Sequence, residues 1–193
     1  MKLAAPIPEQ MAHLPLDRRG YPIFFGAYVE PDGTPHFTIN CERKRSEMIA
    51  RDLCSICGKV LLRGRWFVGG PRSAFHPRGC YIDMPTHNEC AHYALRVCPY
   101  LAAPSYAREV GARKAEVIKS AVIALDPTMI PDRPPLFVAL MAVGQKMTGG
   151  NGIQSYVKPS RPYRRIEYWR HGEQLPDTLG RMLAEDHMRG DAI

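Results

Sequence analysis

Apolar residues along this chain come in short bursts, most of them closed by a proline or a glycine. Residues 23–29 and 36–39 are rich in aromatic and β-branched side chains and flank the turn signature Pro31-Asp32-Gly33-Thr34, which predicts a hairpin. Asn40 then stands as the cap of a short helix over residues 41–53, with Met48, Ile49 and Leu53 on one side and the charges on the other. A second hairpin is expected from residues 60–62 and 66–68, turned at Arg63 and Gly64. After Pro85 a helix is predicted from Thr86 or His87 to about Val97, and Pro99 cannot continue it.

The second half is harder to parse. Residues 105–125 read as a longer helix that stops before Pro127, and Pro131-Asp-Arg-Pro-Pro135 as a stiff linker. The apolar run 136–143 is either a buried strand or part of a helix, because periodicity alone does not separate them over so few residues. Residues 144–155 read as a flexible, turn-forming loop, 163–175 as a strand with a turn at His171 and Gly172, and 178–188 as a terminal helix. The expected fold class is α+β, with residues 1–104 forming one module and 105–193 an extension packed against it as one unit.

Composition narrows the class. Of 193 residues, 45% are apolar and 23% charged, the balance of a globular protein. No apolar run approaches the roughly 18 residues of a membrane span, and the N-terminal stretch is broken by prolines, unlike a signal peptide. A cytoplasmic protein is therefore expected, in which the six cysteines serve as thiols or metal ligands rather than disulfides.

The net charge of +7 is unevenly placed. Residues 41–78 hold nine Lys or Arg against three acids, and residues 158–170 hold five against one. The last stretch, 172–193, reverses sign. Two basic zones suit a polyanionic partner, although an ordinary solvated surface has the same signature.

The most specific pattern is Cys54-x2-Cys57, 29 intervening residues, then His87-x2-Cys90. In a C-x-x-C-G turn both sulfurs face one centre, and Gly58 permits the tight backbone that follows. His87 and Cys90, three apart, share one face of a helix's first turn. Four N and S ligands suit one structural Zn²⁺ in a closed tetrahedral site. Cys80, His76 or His92 could replace a ligand. A redox C-x-x-C pair is the rival, but it calls for a helix directly after the motif. Cys41 has no partner at metal spacing, and Cys98 lies about two turns beyond Cys90.

A knuckle, a hairpin and a helix carrying the second ligand pair resemble a treble-clef zinc finger. At finer grain, "LCSICGK", "FVGGPRSAF" and "HNECAHYALRVCPYLAAP" resemble a family of small uncharacterised proteins from bacteriophages, prophages and bacteria. That family carries C-x-x-C-G, a glycine-proline turn, H-x-x-C-A and C-P-[FY]-L. The resemblance spans about residues 53–104 and implies the four ligands, but no activity.

Three functions compete at this point. The first is a nucleic-acid-binding module using Arg43, Lys44, Arg45, Arg63, Arg65 and Arg72. The second is a protein encoded by a phage or mobile element that binds a host protein complex and redirects or blocks it. The third is a metal-dependent nuclease of the His-Asn-His type, which treble clefs also house. Its hairpin should carry a base histidine, and here it has none; His76 lies beyond it, and Asn88 and His92 lie on the helix. Trp66, Phe67, Tyr156, Tyr163, Tyr168 and Trp169 stand among arginines, either to stack on bases or as core aromatics beside surface cations.

Overall fold

The computed structural model describes residues 5–103, 134–149 and 155–190. The helix expected over 105–125 and most of the 131–135 linker lie outside them. Among the described residues the fold is mixed α/β, with three small antiparallel sheets. The first is the expected hairpin: β1 (Ala27–Val29) pairs with β2 (Pro35–Asn40). Gly33, at φ 89°, makes the positive-φ step of its turn.

Helix α1 (Glu42–Arg51) starts one residue later than expected. Asn40 remains in β2 and donates through Nδ2 to Asp83, so Cys41 holds the cap position without a side-chain cap bond. The inward face of α1 is also different. Met48 and Leu53 are buried, but Ile49 is exposed and Arg45 takes its place inside. Arg45 is 2% exposed; Nη1 donates to the Ile82 carbonyl and Nη2 to that of Ser155.

The central sheet has the order β3 (Arg65–Gly69), β4 (Phe137–Ala142), β7 (Arg165–Arg170), β8 (Glu173–Leu175). This revises the second expected hairpin. Residues 60–62 form no strand beside β3; Val60 bridges back to Leu53, and the partner of β3 is β4. The apolar run 136–143 is thus settled as a strand. It is buried on both sides, which explains its lack of alternation. Strands β7 and β8 form the expected hairpin, with His171 (φ 54°) and Gly172 (φ 83°) at its turn.

Helices cover both faces of this sheet. Phe67, Val138, Leu140 and Tyr168 point to one side, where the core includes Ala74 of α2 (Pro71–Phe75) and Ala184 of α5 (Asp177–Gly190). Trp66, Phe137, Ala139 and Trp169 point to the other, against Ala91 and Leu95 of α3 (Asn88–Val97) and Leu101 of α4 (Pro99–Ala102). Pro99 does end α3, but it also opens α4 at a position where its missing N–H costs nothing. The stretch read as a flexible loop contains β5 (Gln145–Thr148), which pairs with β6 (Tyr156–Pro159). Among the described residues no helix is long and apolar enough to cross a membrane.

Candidate metal centre

The cysteine knuckle is built by local backbone bonding. Cys54 N–H donates to the Lys59 carbonyl (2.8 Å) and Gly58 N–H to that of Cys54 (2.9 Å), folding residues 54–59 into a tight loop. Gly58 sits at φ 71°, and a Cβ there would lie 2.7 Å from the Phe25 ring, so both the conformation and the space require glycine.

The other ligand pair is brought across by β3. Trp66 and Thr86 exchange N–H···O bonds of 2.8 and 2.9 Å, and Ser55 N–H donates to the Pro85 carbonyl at 3.1 Å. These bonds place His87, the extended cap residue of α3, over the knuckle. Cys90 follows in the helix's first turn.

As a result, the ligand atoms of Cys54, Cys57, His87 and Cys90 all lie within 4.8 Å of one another. His87 Nδ1 is 3.3 Å from Cys57 Sγ, close to the edge of about 3.5–3.8 Å that ligand bonds near 2.0–2.3 Å imply for a tetrahedron. The His87 Nε2 lies 3.0 Å from the Val60 carbonyl. That oxygen only accepts, so Nε2 donates to it and Nδ1 is the nitrogen that faces the sulfurs. The three cysteines are at most 1% exposed, and Met11, Leu14, Leu61, Tyr93 and Val97 pack around them.

The electrostatics favour a thiolate cluster. Burial pushes the Cys54 thiol up, but hydrogen bonds from Cys57, Cys90 and His87 outweigh it and hold Cys54 well below the ordinary thiol range. Backbone N–H groups of Cys57 and His87 also approach its sulfur, at 3.5 and 3.4 Å. Cys57 and Cys90 move the opposite way, chiefly because each gives its proton to Cys54. His87 is raised by its bond with the Cys54 sulfur. A cation would complete this cluster by displacing its thiol protons. The donor set thus fits a metal ion bound by four protein ligands.

The alternative ligands go elsewhere. Cys80 is buried with Tyr156. His76 ends α2, and its Nδ1 accepts from Arg78 N–H at 3.1 Å. His92 turns to the sheet, with Nε2 2.6 Å from Glu167 Oε2. Among the described residues neither His76 nor His92 joins a second group of three or more metal-ligating side chains.

Nor do the six candidate binding residues of the first zone form a free cationic patch. Arg43 and Arg63 are exposed. Arg45 is buried, a correction to its reading as a surface cation. Lys44 donates to the Ala27 carbonyl (3.2 Å) and sits over the Phe25 ring. Arg65 is held by both carboxylate oxygens of Asp52. Arg72 is half-buried on α2. Trp66, Phe67, Tyr156, Tyr168 and Trp169 are all buried, which favours the core reading of the aromatics. The residue that sequence reasoning missed is Glu167, a carboxylate 1% exposed at the centre of β7. Its signal was faint: a lone acid at an inward position, between Arg165 and Trp169.

Comparison with known proteins found no match: no family model, no curated protein and no solved structure corresponds to this chain.

Proposed function

We propose that this protein is a zinc-stabilised binding module whose partner is nucleic acid. The convergence of Cys54, Cys57, His87 and Cys90 within 4.8 Å is the observation that carries the zinc. Three sulfurs and one imidazole are a donor set typical of structural Zn²⁺, and four protein ligands leave no open position for chemistry. Bound zinc would fasten the knuckle to the first turn of α3, making metal binding part of folding.

The nucleic-acid partner is supported by the +7 charge and by the arginines that remain exposed. These include Arg43 and Arg63 in the first basic zone and Arg161, Arg164, Arg165 and Arg170 in the second. Fluorescence anisotropy over a series of salt concentrations tests this reading. Binding should weaken steeply with salt, by a slope of roughly 0.9 per phosphate contacted on duplex DNA. Absence of binding to DNA and RNA at low salt would contradict it.

A host-protein partner is favoured by a different observation. Val60 and Leu62 are 61% and 73% exposed on either side of the buried Leu61, beside the metal centre. The resemblance to proteins of phages and prophages agrees with such a role. A complex that survives nuclease treatment and is lost with Leu62→Asp would move this reading to first place.

A further inference from the structure

On the face of the central sheet covered by α3, five side chains form a column. The Arg165 guanidinium lies 5.8 Å from the Trp66 ring centroid, and Trp66 lies 5.2 Å from His92. His92 lies 5.4 Å from Trp169, and the Arg96 guanidinium 5.4 Å from the same indole. The sheet register explains the gap that His92 fills. Trp66 and Arg165 both pair with Met141, and Trp169 pairs with Phe137. The row between them contains Val68, Ala139 and Glu167, and the small Ala139 leaves room for a ring.

Glu167 fixes that ring. Its Oε2 accepts from His92 Nε2 (2.6 Å) and from Trp169 Nε1 (3.2 Å), while Arg165 Nε lies 2.7 Å from Oε1. With Nε2 donating to the carboxylate, Nδ1 is the ring nitrogen left to meet a ligand. The His92 side chain keeps 19% exposure, and its ring is bonded to Glu167 through Nε2. Packing alone would be met by phenylalanine at 92 and an apolar residue at 167. A buried carboxylate that orients an imidazole is instead the arrangement of a site that presents one nitrogen in a set direction.

Both ends of the column present donors. The Arg165 side chain is 59% exposed and uses only Nε on Glu167, and Arg96 is exposed on α3. Stacking on the indoles holds both guanidinium planes and reduces the freedom lost on binding. Three rings separate the two cations, so they cannot converge on one phosphate. A lone-pair acceptor with a guanidinium on either side suits a chain of phosphates joined by sugars that carry a hydroxyl.

We infer that this column is an RNA backbone site, in which Arg96 and Arg165 hold phosphates and His92 Nδ1 accepts a hydrogen bond from a ribose 2′-hydroxyl. Glu89, exposed one turn before His92, bounds the site on its acidic side. The inference rests on the nucleic-acid reading above and narrows it to RNA.

The test is anisotropy with the full-length protein and one labelled single-stranded sequence made as RNA, DNA and 2′-O-methyl RNA. RNA should bind about 2- to 12-fold more tightly than DNA for each hydroxyl contacted, and the 2′-O-methyl strand, which cannot donate, should bind like DNA. Replacing both Arg96→Gln and Arg165→Gln should weaken every strand and lower the salt slope by roughly 1.4. His92→Phe, which keeps the ring stack, should bring the RNA-to-DNA affinity ratio toward one, read on protein whose thermal melt shows it folded. Equal affinity of the unmodified protein for RNA and DNA, or an unchanged slope in the double variant, would overturn this site while leaving nucleic-acid binding intact. Binding to none of the strands would overturn both.

Discussion

Arg45 offers a sharp test of how the first basic zone is used. Its guanidinium is sealed inside, and burial lowers its pKa from the ordinary arginine value. It joins α1 to two distant carbonyls, at Ile82 and Ser155. Two charge-assisted bonds contribute about 1.5–3 kcal/mol each, against the desolvation of the cation and an Nε that is buried without a partner. The balance predicts a loss of about 1–3 kcal/mol for Arg45→Met, which keeps the stem but strands the two carbonyls. Arg45→Ala should lose roughly 2 kcal/mol more, because it also deletes buried methylenes at about 0.8 kcal/mol each. Urea denaturation of the two variants reads both numbers. For a chain of this size each kcal/mol should lower the melting temperature by about 2–4 °C. The nucleic-acid affinity of folded Arg45→Met should equal that of the unmodified protein. A variant of unaltered stability with weakened binding would refute the burial argument and return Arg45 to the surface patch.

Gly180→Ala on α5 should destabilise by about 1–3 kcal/mol despite the helix propensity of alanine, because the new methyl would meet Tyr168 Cγ at 2.2 Å; a neutral or stabilising result in thermal melts would contradict the close packing of α5 on β7. Gly58→Ala should weaken metal retention, measured by competition with a chelator, since it opposes both φ 71° and the Phe25 ring. Acidification should release the metal and lower stability together. The bound state holds three thiolates and a neutral His87, fewer protons than the unfolded chain, so stability rises with pH. In the metal-free protein the lowered Cys54 works in the same direction, its contribution being lost as pH falls through its folded pKa. The raised His87 works oppositely, contributing below its unfolded pKa and losing that contribution as pH rises through the folded one. Metal content unchanged down to about pH 4 would contradict this balance.

What the sequence revealed was mainly local. The Pro31–Thr34 turn, the His171–Gly172 turn and α3 each depend on residues a few positions apart, and each was legible. The Cys3His cluster was legible too, although its pairs are 29 residues apart, because sulfur and imidazole at x2 spacing have few other uses. The pairing of β3 with β4 was not legible. Arg65–Gly69 reads equally well beside any apolar strand, and its partner starts nearly seventy residues later. Arg45 was misassigned because a basic residue on an amphipathic helix is ordinarily solvated, and only the Ile82 and Ser155 carbonyls make its burial tolerable. Glu167 escaped for the same reason, since its donors come from α3 and from its own strand.

The central claim is a Cys3His zinc site, and the metal content of tag-free protein, freshly purified without added metal, tests it most directly. Elemental analysis should find one zinc per chain. Cys54→Ala, Cys57→Ala, His87→Ala and Cys90→Ala should each lose it along with solubility, whereas Cys41→Ala should retain one zinc. Protein that is folded and free of zinc, or a full equivalent retained when Cys54 or Cys90 is replaced, would contradict the account.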